Sequence, residues 1–236
     1  MGKNLIQQKQ GKGSSRYRAP SHRYVGKITF PTEKNAVVTV KDIIHCPGHS
    51  APLAQIVFNE NKSFLIPAVD SLAVSSLVEI SETAPLKQGN ILPLKNIPEG
   101  TNVCAIEKMP GSGPTLCRSS GSFAQIIAKT PNKVTVILPS KKQATLSSEC
   151  RAVIGIVAGA GKKEKPWVKA GKKAMAMKAK NKLYPHTHGV AMNACNHPFG
   201  SGRGRHIGKA GSPPRFASPG RKVGLIHARR TGRKRK

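Results

Sequence analysis

The chain of 236 residues is 38 % hydrophobic but only 4 % aromatic, so its core must consist mainly of Val, Ile, Leu and Ala. Its 40 Lys and Arg residues against 10 Asp and Glu give a formal charge of +30, which would repel itself in a free compact protein. This charge indicates a polyanionic partner. The chain has no apolar run of about 18 residues, which excludes a membrane-spanning helix.

The charge is concentrated at the two ends of the chain. Residues 1–27 have seven Lys and Arg and no acid, and residues 28–160 have 12 basic and nine acidic residues. Residues 161–236 have 21 basic residues and one acid, Glu164. A uniformly solvated basic surface would spread its charge more evenly. We therefore predict basic N-terminal (1–27) and C-terminal (161–236) extensions on either side of a folded middle.

The first part of the middle, residues 28–83, predicts one small β-barrel. Short runs rich in β-branched residues and bounded by Pro, Gly and Asn are typical of strands. These runs are residues 36–45, 54–59, 63–68 and 76–81. No segment between 28 and 160 has a helical apolar stripe longer than two turns, which argues against an α/β fold.

The second part of the middle, residues 84–160, predicts another barrel after a loop at 82–100. The strand pattern restarts at residues 101–107, 124–130, 133–140, 143–148 and 151–160. Closure into barrels would remove exposed sheet edges. The predicted fold class is therefore mostly β, with two successive barrels and two extended basic arms.

The C-terminal extension predicts little independent structure. Residues 167–183 have the Ala, Lys and Met content of a short helix, but Gly171 is expected to interrupt it. After Pro185 the chain has few large apolar residues, so it cannot offset the entropy of ordering by itself. We expect this segment to become ordered on its partner.

Enzymatic and metal-binding alternatives have weak support in the sequence. Cys195 and His197 could form a nucleophile and base, but catalysis needs a rigid scaffold and an orienting group, and no acid follows Glu164. Two clusters have zinc-ligand chemistry, but neither has two Cys-x-x-Cys or His-x₃-His arms. They are His45, Cys46 and His49, and His186, His188, Cys195 and His197. We predict no catalytic residue, no cofactor and no metal, although zinc at these clusters stays open.

Nucleic acid is the partner that the arms favour. Their Arg-rich, Pro-containing and nearly acid-free segments are expected to bind structured RNA through its shape and backbone. A membrane-surface helix would need an apolar face that residues 167–183 lack. A chromatin-like protein that binds duplex DNA is the main alternative, and an RNA-processing enzyme is a third.

Several motifs resemble one family. The segments "GNILPLKNIPEGT" (89–101), "RAVIGIVAGAG" (151–161), "GVAMNACNHPFG" (189–200) and the "GRKVG...ARRTGR" ending are similar to the universal large-subunit ribosomal protein L-two family. The resemblance covers nearly the whole chain in the right order, and the "NHPFG" form is typical of the archaeal and eukaryotic branch.

The resemblance implies an OB-type barrel (28–83) followed by an SH3-like barrel (84–160) and a long C-terminal extension. It implies a structural, non-enzymatic role in the large ribosomal subunit in the cytoplasm, with binding to large-subunit rRNA and to neighbouring ribosomal proteins. It also implies contact with the small subunit, a role in subunit association, and proximity to the RNA peptidyl transferase centre. No membrane partner and no small-molecule substrate are expected.

The resemblance also assigns individual residues. The RNA-contacting arginine of the second barrel corresponds to Arg118, and that of the first barrel corresponds to His49, which is a departure from the family. The functionally implicated histidine corresponds to His197, with Gly200 matched, whereas Ser201 replaces a common glycine. Together with the basic arms, these positions predict the rRNA-binding residues Arg16, Arg18, Arg23, His49, Arg118, Asn193, His197, Pro198, Gly200, Arg203, Arg205, Arg215, Arg221, Lys222, Arg229 and Arg230.

Overall fold

The computed structural model describes residues 2–33, 35–59 and 62–226. This part of the chain contains twelve strands and two α-helices, α1 (Ile6–Gly11) and α2 (Ala170–Ala179). The prediction of a mostly β protein is confirmed. The strands are β1 (Ala36–Ile44), β2 (Leu53–Asn59), β3 (Lys62–Pro67), β4 (Leu77–Ile80), β5 (Ile91–Pro93), β6 (Asn102–Cys104), β7 (Ile106–Glu107), β8 (Pro114–Leu116), β9 (Ala124–Lys129), β10 (Lys133–Ile137), β11 (Gln143–Ser147) and β12 (Arg151–Ile154).

Ten of these strands form one sheet in the order β11-β10-β9-β6-β12-β5-β4-β1-β2-β3, and β7 pairs with β8 separately. The pairs within β1–β4 are antiparallel, as are those that join β5, β6 and β9–β12. The two groups meet where β4 and β5 run parallel, with Ile80 opposite Ile91. Closure of each group into a barrel stays a prediction.

Strand β5 lies inside the segment that the sequence predicts to be a loop, so that prediction is wrong at residues 91–93. A short 3₁₀ helix, Leu94–Asn96, follows it directly. The run "ILP" is too short to show a strand pattern by itself, but all three of its residues are buried between β4 and β12. Strand β8 was likewise missed, since it has only three residues.

Two apolar clusters share the central strands of the sheet. The first contains Ile56 and Ile66 together with Ile91 and Val153, and the second contains Leu92 and residues of β9 and β10. Successive side chains of a strand point to opposite faces, so β5 contributes Ile91 to one cluster and its neighbour Leu92 to the other. The first cluster therefore includes residues on both sides of the predicted boundary at 83 and 84.

An ion pair of low exposure joins β7 to β12. The carboxylate of Glu107 is fully buried, and it accepts hydrogen bonds from the backbone N–H of Arg151 (3.0 Å) and from Nη2 of the same residue (3.1 Å). The N–H groups of Gly111 and Gly113 also donate to it, each at 3.3 Å. Nη1 of Arg151 donates to the carbonyl of Pro31 at 2.7 Å. A buried charge is tolerated here because it is paired and hydrogen-bonded on several sides.

The chain divides into two compact units. One is residues 21–167, which contains all twelve strands, and the other combines residues 2–20 with residues 168–226. The sequence predicts the N- and C-terminal extensions as separate arms, but their contacts place them in one unit. The backbone N–H of Lys3 donates to the carbonyl of Cys195 at 2.7 Å, and Leu5 is 7 % exposed.

Helix α2 includes Gly171, so the expected interruption at that residue is wrong. Gly171 is the second residue of the helix, and the entropic cost of glycine applies mainly to the middle of a helix rather than to its first turn. None of the residues of α2 is buried, in agreement with the lack of an apolar face in its sequence. Among the described residues, neither helix is long and apolar enough to cross a membrane.

Candidate nucleic-acid interface

The His49 turn, residues 46–50, follows strand β1. The backbone N–H of His49 donates to the carbonyl of Cys46 at 3.1 Å, and its Nδ1 lies 3.2 Å from the Cys46 Sγ. Gly48 packs on the ring of Tyr24 so closely that an added Cβ would lie 2.7 Å from a ring carbon. The turn thus has a defined conformation, with Cys46 buried and His49 half-buried.

The Arg118 turn, residues 117–122, is held by its backbone. Cys117 and Gly121 have positive φ angles of 52° and 68°. The N–H of Gly121 donates to the carbonyl of Val157 at 2.9 Å, and an added Cβ at Gly121 would lie 3.0 Å from the Cα of Ala160. A residue with a side chain is therefore disfavoured at this position, both by the φ angle and by the close approach. Arg118 itself is exposed at the tip of the turn.

The structure brings the two turns together. The N–H of Ser120 donates to the Ser50 Oγ at 3.2 Å, and the Lys162 Nζ donates to the Ser50 carbonyl at 3.0 Å. Burial lowers the pKa of His49 below its ordinary value, and the nearby positive charge of Arg118 lowers it further. The two positions that the resemblance assigns to different barrels are thus neighbours, and Lys162 is a third member of this group. We call the His49 turn and the Arg118 turn together the joined turns. The sequence predicted His49 and Arg118 but not Lys162, because no motif distinguishes this lysine from Lys163.

The His197 loop, residues 188–200, is organised around one imidazole. The N–H of His197 donates to the carbonyl of Asn193 at 3.2 Å, and the N–H of Gly200 donates to the carbonyl of His197 at 2.8 Å. The Nδ1 of His197 accepts a hydrogen bond from the N–H of Phe199 at 3.0 Å. A nitrogen that accepts a hydrogen bond has no hydrogen of its own, so the neutral ring has its N–H at Nε2. His197 can therefore donate one hydrogen bond from Nε2.

Two glycines allow this loop to close. A Cβ at Gly189 would overlap the ring of His197, and a Cβ at the buried Gly200 would overlap the carbonyls of Met192 and Asn193. These close contacts explain why glycine is needed at both positions. Ser201 has a φ of 128°, a conformation that favours glycine, so the departure from the family at this position places a side chain on strained backbone.

The N-terminal segment packs on the His197 loop. Residues 2–8 and the loop line two small cavities of about 230 and 190 Å³, and His197 lines both of them. The N-terminal segment is thus joined to the loop that contains His197, through the hydrogen bond from the N–H of Lys3 to the carbonyl of Cys195. Sequence reasoning missed this contact because the two segments lie nearly 190 residues apart.

The other predicted contact residues are mostly exposed. Lys222 is half-buried, and its Nζ donates to the carbonyl of Arg215 at 3.0 Å. The Arg215 guanidinium lies 5.6 Å from the centre of the Phe216 ring. Arg229 and Arg230 lie outside the described residues. The exposed residues are Arg16, Arg18, Arg23, Asn193, Arg203, Arg205, Arg215 and Arg221, whereas Pro198 is half-buried.

The cysteines and histidines do not form a recognisable metal site in the described part of the chain. No three His, Cys, Asp or Glu side chains there come together in a group that could hold a metal ion. Burial raises the pKa of Cys117 to about 11 and, with the nearby Cys117, that of Cys104 to about 12. These two thiols are therefore protonated at neutral pH and are poor nucleophiles.

Comparisons with known proteins agree with the resemblance. A family model described as "Ribosomal Proteins L2, C-terminal domain" matches residues 87–216. The chain is 46 % identical to "Large ribosomal subunit protein uL2" of Methanococcus maripaludis (strain C6), over 99 % of this chain and 100 % of that protein. It is 45 % identical to the protein of the same name from Methanothermobacter thermautotrophicus, over the full length of both.

Proposed function

Because this chain belongs to the universal ribosomal protein L2 family, we propose that it is a structural component of the large ribosomal subunit that binds large-subunit rRNA. The observation on which this proposal rests is the similarity over the full length, since it includes the two basic extensions as well as the strands. The protein acts in the cytoplasm, within the ribosome.

The charge distribution supports the rRNA contacts that we propose. In the described residues the predicted arginines are exposed, and Arg118 and Lys162 supply positive charge at the joined turns, beside His49, whose lowered pKa favours the uncharged ring. Arginine side chains form bidentate contacts with phosphate, and each neutralised phosphate releases counterions. We therefore propose that the joined turns and both extensions contact the rRNA backbone, and that the affinity for rRNA falls steeply with salt concentration. The exposed arginines that make these contacts include Arg16, Arg18, Arg23, Arg203, Arg205, Arg215 and Arg221.

We also propose that residues 28–83 form an OB-type barrel and residues 84–160 an SH3-like barrel, each of which presents one of the joined turns. The separate apolar clusters support this division, although β5 and β12 contribute to both. The two barrels would then act as a single platform, because Ser50 and Ser120 connect their turns.

For the His197 loop we propose a contact with rRNA near the peptidyl transferase centre, which consists of RNA. The exposed Asn193 and the Nε2 of His197 can both hydrogen-bond to RNA, while Pro198 and Gly200 maintain the loop. The role is non-enzymatic: the loop supports the RNA and contributes to subunit association through a contact with the small subunit. Neighbouring ribosomal proteins are the other partners, and no membrane or small-molecule substrate is proposed.

The proposal is tested by binding of the full-length chain to large-subunit rRNA at near-physiological salt. Excess duplex DNA and unrelated structured RNA serve as competitors. We expect the chain to stay on the rRNA, because a defined arrangement of turns and loops selects one RNA shape. Equal loss to every competitor would contradict this function and would favour the chromatin-like alternative.

A matched pair of variants separates the site from charge alone. Arg118→Ala and Lys133→Ala each remove one exposed positive charge, but only Arg118 lies at the joined turns. Arg118→Ala should weaken rRNA binding and reduce the salt dependence of log affinity by about one unit of slope. Equal effects of the two substitutions would refute the proposed contact at Arg118.

A further inference from the structure

The C-terminal end of α2 has a capping arrangement that places one asparagine at a fixed position. Asn181 has a positive φ of 50°, and its N–H donates to the carbonyl of Lys178 at 3.0 Å. The next N–H, from Lys182, donates to the carbonyl of Met177 at 2.8 Å. This pair of hydrogen bonds is a Schellman motif, in which asparagine can replace the usual glycine.

The side chain of Asn181 holds the N-terminal segment against this helix end. Its Nδ2 donates to the carbonyl of Ser15 at 2.9 Å and to that of Arg18 at 2.7 Å. Two carbonyl acceptors establish which amide atom is the nitrogen, so Oδ1 points the other way. The residues between these two carbonyls, Arg16 and Tyr17, are thereby held beside α2.

A cavity of about 390 Å³ lies between these segments. Its volume falls in the range of about 300–1,000 Å³ that is usual for ligand sites. Two of the three tyrosines of the chain, Tyr17 and Tyr184, line it. The full lining is Arg16, Tyr17, Ala174, Met175, Lys178, Asn181, Lys182, Leu183 and Tyr184.

The lining determines the class of ligand. Three cations and no acid are among the described residues that line the cavity, so it would attract an anion and repel a basic peptide. Both tyrosines are half-buried, and the Lys173 Nζ lies 5.2 Å from the centre of the Tyr184 ring. Aromatic faces beside Lys and Arg are the combination that binds an unstacked base together with its phosphate.

We propose that this cavity binds one unpaired nucleotide of the large-subunit rRNA. The base stacks on Tyr17 or Tyr184, and the Asn181 Oδ1 can accept a hydrogen bond from a base N–H. The adjacent phosphates contact Arg16, Lys178 and Lys182. This inference rests on the proposed function and deepens it, because it adds recognition of a single base to binding that is otherwise directed at shape and backbone.

The test is base-specific chemical modification of large-subunit rRNA in complex with the full-length chain. The wild-type chain should protect one unpaired nucleotide that the variants Tyr17→Leu and Tyr184→Leu leave reactive. Leucine retains apolar volume but removes the aromatic face. Because stacking on an aromatic side chain contributes about 1–3 kcal/mol per base, the affinity should fall at least about fivefold. Tyr17→Phe and Tyr184→Phe retain the ring and should behave as the wild type.

A charge-matched pair gives an independent measurement that does not alter the aromatic residues. Lys178→Ala and Lys172→Ala each remove one exposed lysine of α2, but only Lys178 lines the cavity. Lys178→Ala should weaken protection of the same nucleotide, and Lys172→Ala should not. Circular dichroism of each variant establishes that the fold is retained.

The outcomes distinguish this inference from the function on which it rests. If wild-type protein binds rRNA selectively but the Leu variants and Lys178→Ala leave all protections unchanged, the nucleotide site is wrong and the proposed function stands. If the wild-type chain loses rRNA to every competitor, the proposed function itself fails. Loss of one protected nucleotide in the Leu variants, retained in the Phe variants, supports the site.

Discussion

Removal of the Glu107 carboxylate tests the main polar contact inside the strand-containing unit. Glu107→Ala would leave the Arg151 guanidinium without its anion, and would remove the acceptor of four hydrogen bonds. Loss of one partner from a buried ion pair typically costs about 3–5 kcal/mol. The Arg151 side chain is 18 % exposed, so water can reach it, and we expect a loss near the lower end, about 3 kcal/mol.

This loss is large compared with a total free energy of unfolding of about 5–15 kcal/mol for typical proteins. The assay is urea unfolding of the full-length chain, followed by circular dichroism at constant pH and ionic strength. Hydrogen exchange of peptides that cover residues 151–154 then assigns the loss to the unit formed by residues 21–167. Glu107→Gln should be less destabilising, because its remaining oxygen can still accept from Arg151.

Glu149→Ala is the matched control, because it removes the same group from the surface. Its carboxylate lies 3.0 Å from the Lys95 Nζ and is 56 % exposed, and Lys95 keeps a second contact with Glu82. Water screens such a pair, so the substitution should change the free energy of unfolding little. If Glu107→Ala were no more destabilising than Glu149→Ala, our explanation of the buried pair would be refuted.

Three further predictions concern the candidate interface. Gly189→Ala should displace the ring of His197 and weaken rRNA binding. Gly204→Ala is the control and should not weaken binding, because an added Cβ at Gly204 has no neighbour within 4 Å. Equal binding by the two variants would contradict the packing argument. Because the pKa of His49 is lowered on folding, the unfolded chain binds the proton first, so stability should fall as the pH drops through about 6.5. Urea midpoints from pH 7.5 to 5 should show a smaller decrease for His49→Gln, and identical profiles would exclude this titration as a cause. His49→Arg adds a permanent cation beside Arg118, so the salt dependence of rRNA binding should become steeper by about one unit of slope, and an unchanged slope would place residue 49 away from the RNA.

Most strands could be predicted from the sequence because each has its own local pattern. Strand β10, for example, alternates exposed or half-buried residues with the buried Val134 and Val136. Strand β5 has no such pattern, since both of its faces are covered by the two apolar clusters. A three-residue strand that is buried on both sides can be identified only from the strands that pair with it, here β4 and β12.

The candidate interface likewise combines residues that the sequence predicted with residues that only tertiary contacts reveal. Arg118 and His49 were predicted from the resemblance to the family, which matches each of them to one turn of the chain. Lys162 and the N-terminal segment were not found, because their roles depend on contacts with Ser50 and with the His197 loop. The Tyr17 and Tyr184 cavity was missed for the same reason, since its two aromatic residues are far apart in the chain.

The sequence by itself determined the mostly β class, the segregation of charge and the polyanionic partner. Composition and short-range periodicity are local properties, and neither requires knowledge of which segments meet. Only the tertiary structure decided that the turns at His49 and Arg118 adjoin, that the two extensions form one unit, and that Nδ1 of His197 is an acceptor. These features depend on contacts between residues that are distant in sequence or on the exact geometry of a loop, neither of which a local pattern specifies.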